Sequence, residues 1–219
     1  MKREEARARI EEIGIIPAVR ASTSECAIYA AEAMHRAGIP IAEIRMTTPG
    51  AVGVIADVAK SHPDMVVGAG TVFDQETARR CVDAGAKFLT SPGLVMEVVE
   101  FALKSQVVVF PGVLTASEVI MAWKAGSDMV KIFPCAQVGG DSYIRALKVP
   151  FAQVPLIASG GVNQRTASKF ILAGACALGI GTELIPEEAV VRRREAWINE
   201  LANRYVKMVK DARAQKKGS

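Results

Sequence analysis

Histidine, together with tryptophan, is the residue type this 219-residue chain has least of: there are two histidines, His35 and His62. The first falls in a helical pattern and the second in the loop "KSHPD". Neither stands at a strand end, where a histidine-held metal would do chemistry, so the reading assigns no metal ligand and needs no cofactor. The four cysteines (Cys26, Cys81, Cys135 and Cys176) lie far apart without a CxxC pair. That spacing argues against a disulfide framework and for reduced, mostly buried thiols. No apolar run approaches the length of a membrane span, and the charged start "MKREEARARIEEIG" lacks the apolar centre of a signal peptide. A cytoplasmic protein that engages no membrane is expected. Basic residues outnumber acidic ones only 27 to 23 and form no dense block, so no nucleic-acid surface is expected. There is also no linker and no shift of composition along 1–219, which reads as a single domain.

What the chain does have is alternation. Half of its residues are apolar, and they gather in short β-rich runs separated by helical patterns. The strand runs are 15–20, 41–46, 65–71, 87–91, 107–112, 128–133, 155–159 and 177–181, with amphipathic stretches between them. The phrase "AG" recurs just before an apolar run, as in "RAGIPIAEI", "DAGAKFLT", "KAGSDMVKI" and "LAGACALGI". Its physical meaning is a helix stopped by a left-handed glycine and a tight turn into the next strand. Eight such units in this length predict an α/β chain folded as a (β/α)8 TIM barrel. An extra N-terminal helix at 1–14 is expected across the bottom, a last helix over 187–213, and a disordered tail at 214–219. An open doubly wound sheet is the weaker reading, because "PAVRAST" after the first strand carries no glycine-rich dinucleotide loop.

Within "DMVKIFPCAQ" a lysine, Lys131, sits among apolar residues. Burying an ammonium there is expensive unless the group is paired or loses its proton; the plain alternative is a lysine that snorkels to water. Strand alternation sends Met129, Lys131 and Phe133 to one face, and Ile41, Glu43, Arg45 and Thr47 to one face of another strand. Arg20 and Thr71 end two further strands. In a barrel these positions meet at the C-terminal mouth, where chemistry collects. A lysine with apolar flanks facing a glutamate is the layout of an amine nucleophile with its acid/base, and desolvation would favour the free amine. At the last two strands, "IASGGVN" places Gly160 and Gly161, and "LGIGTELI" places Gly179, Gly181 and Thr182, where backbone N–H groups could receive a phosphate. Ordinary tight turns are the alternative at those glycines.

Taken together, "AEIRMTTPG", "VVGAGTV", "LTSPGL", "FPGVLTASE", "VKIFPCAQVGG" and "ASGGVN" make the chain resemble the 2-keto-3-deoxy-6-phosphogluconate (KDPG) / 4-hydroxy-2-oxoglutarate (KHG) aldolases, which are class I barrel enzymes. The resemblance runs over nearly the whole chain in order. It implies Lys131 as the Schiff-base lysine, Glu43 as general acid/base, Thr71 and an arginine on the substrate carboxylate, and the glycines on the phosphate. It also implies a small keto-acid substrate and a homotrimer. Some members place the carboxylate arginine four residues after the glutamate, where this chain has Thr47. Others carry it at the end of the first strand, which "PAVRAS" matches, so the carboxylate site is read as Arg20, Thr71 and Thr47. Phe133, Pro92, Ser159 and Arg45 are read as pocket wall. Arg45 departs from the family, which usually has a small or apolar residue there.

The expected reaction is cleavage of KDPG or of 4-hydroxy-2-oxoglutarate to pyruvate and an aldehyde, with the galactonate epimer of KDPG as an alternative substrate. Two readings from other classes stay open: a phosphosugar isomerase on the same barrel, and a non-catalytic barrel that binds acidic metabolites.

Overall fold

The computed structural model describes residues 1–217. Along the chain the elements are α1 (Arg3–Ile13), β1 (Ile15–Val19), α2 (Ser24–Arg36), β2 (Ile41–Arg45), α3 (Ala51–Ser61), β3 (Val66–Gly70), α4 (Gln75–Asp83), β4 (Phe88–Leu89), α5 (Met96–Lys104), β5 (Val108–Val109) and β6 (Gly112–Val113). Then follow α6 (Ala116–Lys124), β7 (Val130–Ile132), α7 (Asp141–Lys148), β8 (Leu156–Ser159), α8 (Ala167–Ala173), β9 (Ala175–Ile180), α9 (Glu187–Val191) and α10 (Glu195–Lys217). Every described strand pair is parallel, and the order across the curled sheet is β5-β4-β3-β2-β1-β9-β8-β7-β6.

The strands are buried on both faces, as parallel strands covered by helices must be. Helices α2, α4, α6 and α8 are each followed by a glycine with φ between 80° and 113° (Gly38, Gly85, Gly126 and Gly174), which is what turns the chain into the next strand.

Where one strand was expected over 107–112, two short ones stand, β5 and β6. Pro111 has no N–H to give the ladder and interrupts the run. The run still bonds on both sides. Phe110 and Gly112 donate to the carbonyls of Leu89 and Ser91, while Pro111 and Val113 accept from the amides of Lys131 and Phe133. The two ends of the curled sheet therefore meet in this run.

Two expectations about the C-terminal region need correction. The helix expected over 187–213 is broken into α9 and α10, with Arg193 at φ 51° between them. Arg193 lays its guanidinium over the Tyr29 ring at 4.3 Å, and the amide of Arg194 donates back to the Ala189 carbonyl at 2.8 Å. The tail expected to be disordered from 214 instead continues α10 through Lys217, while 218–219 lie outside the described residues. Alanine, glutamine and lysine are good helix formers. Arg213 also anchors that turn, donating to the carbonyls of Glu11, Glu12 and Cys176.

Helix α1 lies at the N-terminal ends of the strands. Its Arg3 reaches Asp128, just before β7, through Nε at 3.1 Å and Nη2 at 2.9 Å.

Candidate active site

Lys131 stands at the centre of β7, between Gly112 of β6 and Ile157 of β8 in register. Its side chain is 6% exposed, so it does not snorkel to solvent. Burial lowers its pKa, Arg45 lowers it further, and Glu43 works in the opposite direction. The amine lies 5.8 Å from the centre of the Phe133 ring, which supplies an apolar wall rather than a counter-ion. A buried lysine whose charged form is disfavoured has the chemistry an amine nucleophile needs.

Glu43, in the middle of β2 and 4% exposed, comes from the other half of the sheet. Its carboxylate lies over β3: a methyl group added at Gly70 would fall on it. That clearance explains a glycine within a strand, where it otherwise weakens packing. Nothing local in "VVGAGTV" marks this role of Gly70, because the side chain that needs the space comes from another strand. One residue further, Thr71 holds φ 64°, which strains a β-branched side chain by about 1 kcal/mol or more.

Arg45 ends β2 with its Nε 3.7 Å from Glu43 Oε1, and that Nε is buried with no hydrogen-bond partner among the described residues. A pocket opens beside it, lined by both Arg45 and Arg20 together with Phe133, Ser159, Gly160, Gly161, Gly179, Gly181 and Thr182. Two guanidinium groups beside glycine turns are a donor set with the chemistry to receive an anion. Gly160 and Gly161 both have φ near 80°, and a side chain on Gly161 would strike Ala136 of the neighbouring loop. The amides of Cys135 and Ala136 bond to the carbonyls of Ser159 and Gly160, at 2.8 and 3.0 Å, fixing one loop against the other. Asn163, Glu183 and Ile185 also line the pocket. Asn163 Oδ1 accepts from the Arg165 amide at 2.9 Å, in the loop before α8, which starts after Thr166.

Not every expected residue shares this pocket. Arg20 lies beyond the end of β1 and is exposed, on the same wall as the glycines. Thr47 is exposed in a turn: β2 ends at Arg45, so alternation stops there and Thr48 takes the buried place. Thr71 and Pro92 are half-buried and do not line this pocket.

The model of the KDPG and KHG aldolase family matches residues 6–201. A 2-dehydro-3-deoxy-phosphogluconate aldolase of Pseudomonas aeruginosa is 30% identical over 203 residues, covering 91% of this chain and 92% of its own. The KDPG aldolase of Legionella pneumophila, solved with pyruvate captured at low pH as a covalent carbinolamine, superposes with a TM-score of 0.84 at 31% identity, covering 90% of this chain and 96% of its own. A native KDPGal structure superposes at 0.83 with 29% identity, covering 90% and 95%.

Proposed function

The chain belongs to the KDPG and KHG aldolase family, an aldehyde lyase by that membership, and we propose that it cleaves a 2-keto-3-deoxy sugar acid through a Schiff base on Lys131. The observation that carries this reading is Lys131 itself, a buried lysine whose charged form is disfavoured and which sits within the field of one carboxylate. The fold read with it is a single (β/α)8 barrel domain, with the run 108–113 as the eighth stave.

The neutral amine attacks the C2 ketone and gives a carbinolamine, which loses water to an iminium. That cation is the electron sink. Glu43 takes the proton of the C4 hydroxyl, the C3–C4 electrons move onto the iminium, and the aldehyde leaves. The enamine is then protonated at C3, and water hydrolyses the new iminium to pyruvate and free Lys131. No metal or organic cofactor enters this sequence. With KDPG as substrate the aldehyde is glyceraldehyde 3-phosphate; with 4-hydroxy-2-oxoglutarate it is glyoxylate.

A substrate anionic at both ends explains two arginines in one pocket. Arg20 takes the carboxylate, Thr71 completes that clamp from outside the pocket lining at the end of β3, and the turns at Gly160, Gly161, Gly179, Gly181 and Thr182 take the phosphate. Arg45, with its unpartnered Nε, adds a second positive charge to the anion site. Arg20→Ala is expected to raise KM strongly with little change in kcat. If only Arg45→Ala does so, the carboxylate belongs to Arg45.

Borohydride reduction in the presence of pyruvate tests the mechanism, with a covalent adduct expected on Lys131 by peptide mass mapping. An unmodified Lys131 would remove the Schiff base and leave an isomerase or a passive anion binder as the reading. Comparison of kcat/KM for KDPG, its galactonate epimer and 4-hydroxy-2-oxoglutarate settles the preferred substrate. A homotrimer is part of the same proposal, and a monomeric mass by light scattering would overturn that part.

A further inference from the structure

The sequence holds two histidines, and the fold brings them together away from the site just described. His35, in the last turn of α2, and His62, which follows α3, have ring centres 4.8 Å apart. Two carboxylates join them. His35 Nε2 lies 2.8 Å from Asp64 Oδ2, and His62 Nε2 lies 3.6 Å from Glu32 Oε1. One ligand atom from each of His35, His62 and Asp64 falls within 4.8 Å of the others. All of these side chains are partly open to solvent, so an ion has a path in.

We propose that Glu32, His35, His62 and Asp64 form a binding site for a divalent transition-metal ion of zinc type, at the N-terminal end of the sheet. Two neutral imidazoles and two carboxylates are a donor set suited to zinc, cobalt or nickel rather than to calcium or magnesium. Ligand atoms around a tetrahedral zinc stand about 3.3 Å apart, which small rotations reach from the mutual spacing of His35, His62 and Asp64, with Glu32 brought in beside His62 as the fourth ligand. Glu32 divides its oxygens: Oε2 faces Arg36 at 3.6 Å, and Oε1 is left facing His62.

The backbone under the ligands is fixed before any ion arrives. The amide of His62 donates to Val58, the amide of Met65 donates to the His62 carbonyl, and Arg9 holds the Asp64 carbonyl at 3.1 Å. Pinned ligands of this sort lose little entropy on binding. The bound ion would tie α2 to the connection between α3 and β3. Because His35 in the last turn of α2 and His62 after α3 stand where the chain enters β2 and β3, the ion sits at the N-terminal ends of those strands, away from Lys131, and takes no part in the reaction. It is a stabilising clamp.

The test uses the full chain, stripped with a chelator and titrated with Zn²⁺ while Tm is followed, and with Co²⁺ while the visible spectrum is followed. Expected are a Tm rise of several degrees with excess Zn²⁺ and the intense d–d bands of four-coordinate cobalt. His62→Ala and His35→Ala should each weaken binding about tenfold or more, and Glu32→Gln by less, with unchanged kcat in the metal-free proteins. An unmoved Tm in the wild-type protein overturns the proposal. So does an equal shift in the His35→Ala/His62→Ala protein, which would place the ion on Cys26, Cys176 or another surface group. Should a histidine variant fold poorly, the cobalt spectrum of Glu32→Gln decides: bands unchanged in position and affinity remove Glu32 from the site.

Discussion

Asp128 and Lys131 are three residues apart, equally buried at 6% exposure, and treated in opposite ways. Asp128, at the N-terminal end of the sheet, is saturated: Arg3 grips it with Nε and Nη2, and the Val109 amide adds a bond at 2.9 Å. Lys131, in the middle of β7, faces an aromatic ring and shares Glu43 with Arg45, and its charged form is disfavoured. The difference sets a fully bonded charge against an under-compensated one within the short run 128–131. A buried charge that is fully bonded fixes the fold, whereas one left under-compensated is held ready to change its protonation or bond. The same contrast runs through the neighbours. The floor has bonded arginines, such as Arg213 on three carbonyls, while the mouth has the unpartnered Arg45 Nε and the strained Thr71.

Substitution can sharpen or break that contrast. The largest effect belongs to Lys131→Met, which should lower turnover by about 10⁴-fold or more while leaving circular dichroism unchanged. Retained turnover would end the distinction at once. Next comes Asp128→Ala. It strands the Arg3 charge and is expected to destabilise the fold by about 3–5 kcal/mol in urea unfolding, with kcat per folded molecule preserved. A loss of kcat without a loss of stability would move Asp128 to the chemical side.

Gly70→Ala is smaller. The new methyl displaces the Glu43 carboxylate, so kcat should fall about 10–100-fold with little change in Tm. The smallest effect is again at Lys131, now in stability. Its folded pKa is depressed, so between that value and about 10.4 the unfolded chain binds more protons and wild-type stability rises with pH. Below that window the penalty is fully present, and Lys131→Met should be the more stable protein by about 1 kcal/mol or more. The advantage should shrink as pH climbs toward 10.4. A constant difference across that range would mean the amine is not desolvated.

Much of this was legible in residues read one strand at a time. Alternation groups Lys131 with Phe133 and Glu43 with Arg45, and in the structure both Lys131 and Glu43 are buried, because a period of two is a local property of extended backbone. The helix-ending glycines likewise follow from local sterics. Legibility failed where alternation stops: β2 ends at Arg45, which turned Thr47 out to solvent and brought Thr48 in. It failed again at Asn163 and Glu183, which reach the pocket only because the loops after β8 and β9 fold over it. Gly70 escaped notice because its reason is another strand's side chain. The two histidines looked unrelated because twenty-six residues of helix and strand pattern separate them, and only packing of α2 beside α3 joins them.

By itself the sequence determined the alternation of strands and helices, the turns between them, and which lysine and which glutamate are inward-facing, since these depend on backbone sterics and short periodicities. The tertiary structure decided what those charges meet. It saturated Asp128, left Lys131 and Arg45 under-compensated, opened Gly70 for a carboxylate and brought two distant histidines within a few ångströms. Electrostatics and close packing act through space, and the distances that set them exist only once the sheet has curled.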